Sequence, residues 1–215
     1  PVDPKIKIFI KNNYYNISNC FNIIFKLNMK KNIKFHFSVD DVFESLIEIT
    51  DKKSKLKDHW FFSYLYKIYK DHNIKIAIYL FYESKIKNKI RNLSEVRNLK
   101  NELNENWLYF GAHALNFENP PHKLKIQSQK KNINKIYKEI IRFAGKKYLA
   151  RNLRLHEYSE CYELKNQFKK YNVKSLFTTD KSIATYRMQN HNRKQLIEKG
   201  STVFNVDSSG TGVNS

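Results

Sequence analysis

Apolar and polar positions alternate strictly from Ile33 to Asp40. Ile33, Phe35, Phe37 and Val39 fall on one side and Lys34, His36, Ser38 and Asp40 on the other, the two-residue period of a β-strand. Val42, Phe43, Leu46, Ile47 and Ile49 then recur at helical spacing, and an aromatic-rich helix is predicted over 57–71. The run 74–82 is apolar and β-branched apart from Lys75, the pattern of a strand covered on both faces in a parallel sheet. Beyond it the sequence predicts a polar helix over 94–104, a strand over 107–110, a loop over 111–122 containing Pro120 and Pro121, and a helix over 133–143. A strand over 152–156, a helix starting near 159, a strand over 173–178 and a helix around 192–199 follow. Residues 5–32 show no sustained period beyond a short strand over 5–10. Strands alternating with helices imply right-handed crossovers and an α/β fold with a parallel sheet or barrel, whose chemistry sits where strands end.

With 215 residues, of which 41% are hydrophobic, and with 5 Gly and 4 Pro, the chain is long and apolar enough for one sizeable core. Cys20 and Cys161 are too few for a disulfide scaffold and are expected to be reduced thiols. No apolar run approaches the roughly 18 residues that cross a bilayer, so no transmembrane segment is expected. Pro1-Val2-Asp3-Pro4 carries no export pattern, which makes the cytoplasm the expected compartment. The formal charge of +20 raises the prospect of a nucleic-acid partner. The lysines, however, are scattered among Asn, Ile and Tyr along the whole chain, as in Lys85-Ile86-Lys87-Asn88-Lys89-Ile90, the signature of an A+T-rich coding sequence. No helix-turn-helix, zinc-finger or RNA-recognition pattern accompanies the charge, so no specific nucleic-acid partner is expected.

Strand ends single out a few residues. Asp40 and Asp41 close the first strand, where one carboxylate can bind a cation while its neighbour abstracts a proton; either could instead cap the following helix. His113 follows the 107–110 strand and could be a metal ligand, although a lone histidine is also an ordinary loop or core residue. Within Arg151-Asn152-Leu153-Arg154-Leu155-His156, alternation puts Arg154 and His156 on one face, with a structural ion pair as the other use for the arginine.

The ordered set Ser38-Val39-Asp40-Asp41, Phe110-Gly111-Ala112-His113 and Arg154-Leu155-His156-Glu157-Tyr158 resembles the polysaccharide deacetylases of the NodB-homology type, most closely their WbmS-like branch. The resemblance spans roughly residues 33–190, through Thr178-Thr179-Asp180 to Tyr186. It implies a distorted (β/α) barrel, whole or incomplete, placed over residues 33–206; the unpatterned residues 1–32 are expected to be an entry segment of the same domain, and 207–215, unlike the family, a flexible tail. It also implies hydrolysis of N-acetyl, sometimes O-acetyl, groups on a sugar or polysaccharide precursor in surface-glycan biosynthesis. By the same resemblance Asp40 is the general base, Arg154 orients it, Asp41 and His113 hold a divalent metal, and Asp180 could be the family's fourth-motif aspartate. Zn²⁺ is the expected ion, with Co²⁺, Mn²⁺ or Ni²⁺ as alternatives.

This sequence departs from the family where a second ligand histidine would stand, four residues after His113, because that position is Phe117. His156 and His122 are the replacements, His156 being preferred on strand parity. The family's late Leu-His motif, source of its general acid, is not evident; His191 lies in a polar stretch with no strand before it, and the barrel's last strand could be missing. These departures leave a second expectation open, a deacetylase-fold protein that binds carbohydrate without turnover. Most of the 15 Phe and 14 Tyr are expected in core and barrel-to-helix packing rather than as sugar platforms.

Overall fold

The alternating stretch and the apolar run form neighbouring parallel strands, and the rest of the sheet is laid beside them in chain order. The computed structural model describes residues 36–159 and 162–178, together with Lys194, Glu198 and three short strands at 6–10, 13–14 and 203–205. The elements are β1 (Ile6–Ile10), β2 (Asn13–Tyr14), β3 (His36–Asp40), α1 (Phe43–Asp51), α2 (Trp60–His72), β4 (Ile76–Phe81), β5 (Glu83–Ile86) and β6 (Lys89–Asn92). They continue as β7 (Leu108–Ala114), α3 (Ile126–Phe143), β8 (Asn152–Leu153), α4 (Lys165–Lys170), β9 (Ser175–Phe177) and β10 (Val203–Asn205).

Strands β3, β4 and β7 pair in parallel, with Asp40 opposite Tyr79 and Tyr79 opposite Gly111. β8 and β9 form a second parallel pair. A parallel bridge between Phe110 and Leu149, and a 2.8 Å hydrogen bond from the Ala150 N–H to the Phe110 carbonyl, tie that pair to the edge of β7. The parallel strands therefore follow one another as β3-β4-β7-β8-β9, every crossover stepping in the same direction. With right-handed crossovers, this order sends the helices to one face, as in barrels, rather than to both, as in doubly wound sheets. Antiparallel β1 and β10 flank β3 and β9 respectively. The sheet is rolled, since the His36 ring on β3 lies 4.7 Å from the Phe177 ring on β9. It does not close into a barrel among the described residues.

Burial on both faces explains the unbroken apolar run. Ile76, Ile78 and Leu80 on one side of β4, and Ala77, Tyr79 and Phe81 on the other, are all buried. Helix α3 places Ile133, Ile136, Tyr137, Ile140 and Phe143 in the core, and the Phe143 ring meets Phe110 of β7 edge-on at 5.3 Å. Each such aliphatic or aromatic side chain contributes about 1.5–3 kcal/mol when fully buried. On the inner face space is scarce at Gly111. A Cβ there would stand 2.8 Å from Leu153 Cδ1 and 3.0 Å from the Tyr79 ring, so only glycine lets the tyrosine cross the interior.

Several sequence-based expectations change. The helix over 94–104 is replaced by two short 3₁₀ turns, Leu93–Glu95 and Lys100–Glu102. Asn92 and Glu95 close a capping box on the first, and the Asn98 side chain accepts from the Lys100 N–H, local bonds that compete with a continuous helix. β7 runs on through His113 to Ala114 because its segment 111–114 keeps pairing with β4, and α3 starts seven residues earlier than its apolar period suggests. β8 stops at Leu153 rather than at 156, and the helix expected near 159 is α4, at 165–170. The hairpin of β5 and β6 was not anticipated; Lys87 and Asn88, both at positive φ, form its two-residue turn. Cys20, Cys161, Asp180, Tyr186, His191, the tail at 207–215, most of the lead-in at 1–32 and most of the helix predicted around 192–199 lie outside the described residues.

Candidate active site

The carboxyl ends of β3, β7 and β8 converge, and Asp40, Asp41, His113, Arg154 and His156 lie at or just beyond them. Asp40 ends β3 with its side chain on the inner face, 5% exposed. One guanidinium nitrogen of Arg154, Nη2, donates to both Asp40 oxygens, each at 2.8 Å, across 114 residues of chain. Burial works against the Arg154 charge, but the Asp40 carboxylate outweighs it and raises the guanidinium pKa further. Capping plays no part in either aspartate, because α1 begins after Val42 without a side-chain cap. Asp41 instead takes a left-handed φ of 60° and leaves its buried Oδ1 without a hydrogen-bond partner.

His113 donates Nδ1–H to the Arg154 carbonyl at 2.9 Å, which leaves Nε2 as a lone pair. His156 donates Nε2–H to the Phe117 carbonyl at 3.2 Å, which leaves Nδ1 as a lone pair. Those two lone pairs face each other across 3.3 Å. Burial first, and the neighbouring His113 second, hold His156 below the usual imidazole range. With Nδ1 of His113 and Nε2 of His156 each committed to a carbonyl, the two facing nitrogens are the ones available to an ion. Two imidazole nitrogens on a tetrahedral zinc, at about 2.0–2.1 Å each, stand about 3.3 Å apart, so the donor pair fits such an ion. No group of three or more His, Cys, Asp or Glu side chains is arranged to hold a metal ion among the described residues. The fit therefore rests on the imidazole pair and on the orphaned oxygen of Asp41.

His122 is built into a different cluster. Its Nδ1 lies 2.9 Å and its backbone N 3.3 Å from Ser159 Oγ, and its Nε2 lies 3.5 Å from Glu157. Ser159 Oγ spends its own proton on the His156 carbonyl at 2.7 Å and is buried, so it is an acceptor for His122 and not a nucleophile. The arrangement clips the loop carrying Phe117 to the turn carrying His156. Strand parity chose His156 over His122, but a strand does not deliver it. The chain turns after Leu155, and Glu157 and Tyr158 follow at φ 55° and 54°. Bulky residues in the left-handed region store strain, and with Asp41 these two border the same site. Two site residues carry buried polar atoms without partners, Asp41 at Oδ1 and Arg154 at Nε.

Sequence reasoning missed His36 and Tyr79, which extend the polar interior beneath Asp40. His36 Nε2–H donates to the Tyr79 hydroxyl at 2.8 Å, and that hydroxyl donates to the Asn152 carbonyl at 2.8 Å. The signal for His36 was present, since it shares the strand face of Ser38 and Asp40. Burial, reinforced by the Arg154 charge, lowers the His36 pKa to about 4 against a partial pull upward from Asp40. The unfolded chain therefore binds this proton at about pH 6.5 and the folded chain only near 4. The stability contributed by neutral His36 is complete above about pH 6.5 and is lost as pH falls towards 4. Urea unfolding at pH 4.5 should show about 2 kcal/mol less stability from this group than at pH 7.5. His36→Gln keeps a donor for Tyr79 without titrating, and it should flatten this part of the profile; an unchanged profile would remove His36 as its source.

No helix among the described residues is long and apolar enough to cross a membrane. Compared with protein-family models, with curated proteins and with solved structures, the chain matches none.

Proposed function

We propose that the chain is a divalent-metal-dependent hydrolase that removes acetyl groups, N-linked rather than O-linked, from a sugar or polysaccharide precursor of a surface glycan, on an incomplete (β/α) barrel. The observation that carries this reading is the buried Asp40–Arg154 pair standing beside two imidazoles whose lone pairs converge. Asp41, His113 and His156 would hold the ion, with Zn²⁺ first among the choices. When bound, it would supply Lewis acidity for the acyl carbonyl and the attacking water. Arg154 holds Asp40 fixed through two 2.8 Å hydrogen bonds, so that the carboxylate can take one proton as water adds to the acyl carbon. The C–N bond then breaks, acetate departs with the oxygen of water, and the sugar nitrogen takes up the proton that Asp40 accepted. The carbonyls of Arg154 and Phe117 hold the imidazole tautomers throughout.

Elemental mass spectrometry of the purified protein tests the ligand set. About one zinc per chain is expected in the wild type and its loss in both Asp41→Ala and His113→Ala, while full retention in both variants would sink the assignment. A second reading, a carbohydrate-binding protein without turnover, is favoured by Phe117 at the family's histidine position and by the missing three-ligand group among the described residues. Acetate released from an acetylated sugar above a buffer control eliminates it.

A further inference from the structure

Trp60, Tyr64, Ile90 and Phe117 are the large hydrophobic side chains left exposed among the described residues, and Phe117, at 65% exposure, is the one whose ring touches the candidate site. Its ring centroid lies 5.1 Å from that of His156 and 6.5 Å from that of Phe81, whose own ring packs edge-on against both site histidines. An exposed phenyl on a loose loop would be unremarkable, but this loop is pinned. Asn116 Oδ1 accepts from the Asn119 N–H at 3.0 Å and from its amide at 2.7 Å, while Asn116 Nδ2 donates to Glu83 at 3.0 Å. The Phe117 carbonyl is held in turn by His156. The ring is therefore presented to solvent from a fixed backbone, beside the imidazole of His156.

We infer that Phe117 is the substrate platform of this site, stacking against the apolar C–H face of a pyranose ring and so placing a substituent of that ring at the imidazole pair. The inference rests on the hydrolase reading for the identity of the ligand, and it deepens that reading by naming a binding residue. A pyranose with equatorial substituents presents axial C–H groups on its faces, which suit a phenyl ring that offers no hydrogen bonds. Phe117 thus serves twice at a position where the resembling family carries a metal ligand: its carbonyl fixes the tautomer of His156, and its ring holds the sugar.

The probe is a tetramer of β-1,4-linked N-acetylglucosamine, with binding to the full chain followed by saturation-transfer NMR. Saturation should reach the ring C–H protons of the sugar. Phe117→Ala, which keeps the carbonyl, should weaken binding about three- to tenfold, and Phe117→Trp should retain it. Zinc content should be the same in all three proteins, which separates a lost platform from a collapsed site. Unchanged affinity in Phe117→Ala, or no binding of the tetramer by the wild type, overturns the inference. Self-association that disappears in Phe117→Ala in place of sugar binding also overturns it, because the ring would then serve a second copy. Acetate release with unchanged Phe117→Ala affinity removes the platform and leaves the hydrolase; Phe117-dependent binding without acetate release does the reverse.

Discussion

Replacing Arg154 by alanine is expected to destabilise the folded chain by about 3–5 kcal/mol, the loss that follows when one member of a buried ion pair is removed. Arg154 is 2% exposed and Asp40 5%, so neither charge reaches water to compensate for a missing partner. The alanine variant would leave the carboxylate in a polar but enclosed interior, beside a Tyr79 hydroxyl already committed to Asn152. It must then either take up a proton or draw the chain open. The double variant Asp40→Asn/Arg154→Met removes both charges and should recover most of the loss, because a neutral interior avoids the desolvation that an unpaired charge incurs. Urea denaturation of the wild type, Asp40→Asn, Arg154→Met and the double variant completes the cycle. An Arg154→Ala variant within about 1 kcal/mol of the wild type would mean that the pair does not order the site.

The largest effect on chemistry is expected from Asp40→Asn. The amide matches the carboxylate in shape and can still accept from Arg154 through one oxygen, yet it cannot take a proton from water. Acetate release should fall by about 10²- to 10⁴-fold, the range for losing a positioned general base. Zinc content should stay at the wild-type value, which distinguishes this variant from Asp41→Ala. Because the arginine charge is no longer neutralised, stability will fall as well, so rates belong at a temperature where near-UV circular dichroism shows the variant folded. A rate within a factor of a few of the wild type would remove Asp40 from the role of base.

What the sequence made legible was whatever depended on short periods. The alternation over 36–40 placed Asp40 at a strand end, and the apolar run over 76–81 announced a strand covered on both sides. His113 was found the same way, although its strand extends further than the apolar residues suggest, because Gly111 and Ala112 pair as well as larger residues do. Features set by distant partners were not legible. The helix expected over 94–104 gives way because its backbone bonds elsewhere, the Arg97 N–H donating to Thr50 Oγ1 at 3.2 Å and the Leu99 N–H to the Phe143 carbonyl at 2.7 Å. His156 was chosen by strand parity, yet it reaches His113 through a strained turn that no period encodes. Choosing between His156 and His122 required knowing that Ser159 would take up His122. Phe117 read as a missing ligand, and only its exposure and pinned backbone suggest a use for it.

The one-directional order of β3, β4, β7, β8 and β9 bears on how the protein is made. As the chain leaves the ribosome, each new strand docks on the edge left by the one before, so the sheet can grow without waiting for a distant segment. The contact that completes the site does not share this advantage. Asp40 emerges 114 residues ahead of Arg154, and closing so long a loop is entropically among the later events of folding. Until then the growing sheet carries an acidic group whose counter-charge has not yet been synthesised. A nascent chain ending before β8 could hold three parallel strands and their helices and still lack a charged centre. The charged centre is thus completed only at the close of assembly.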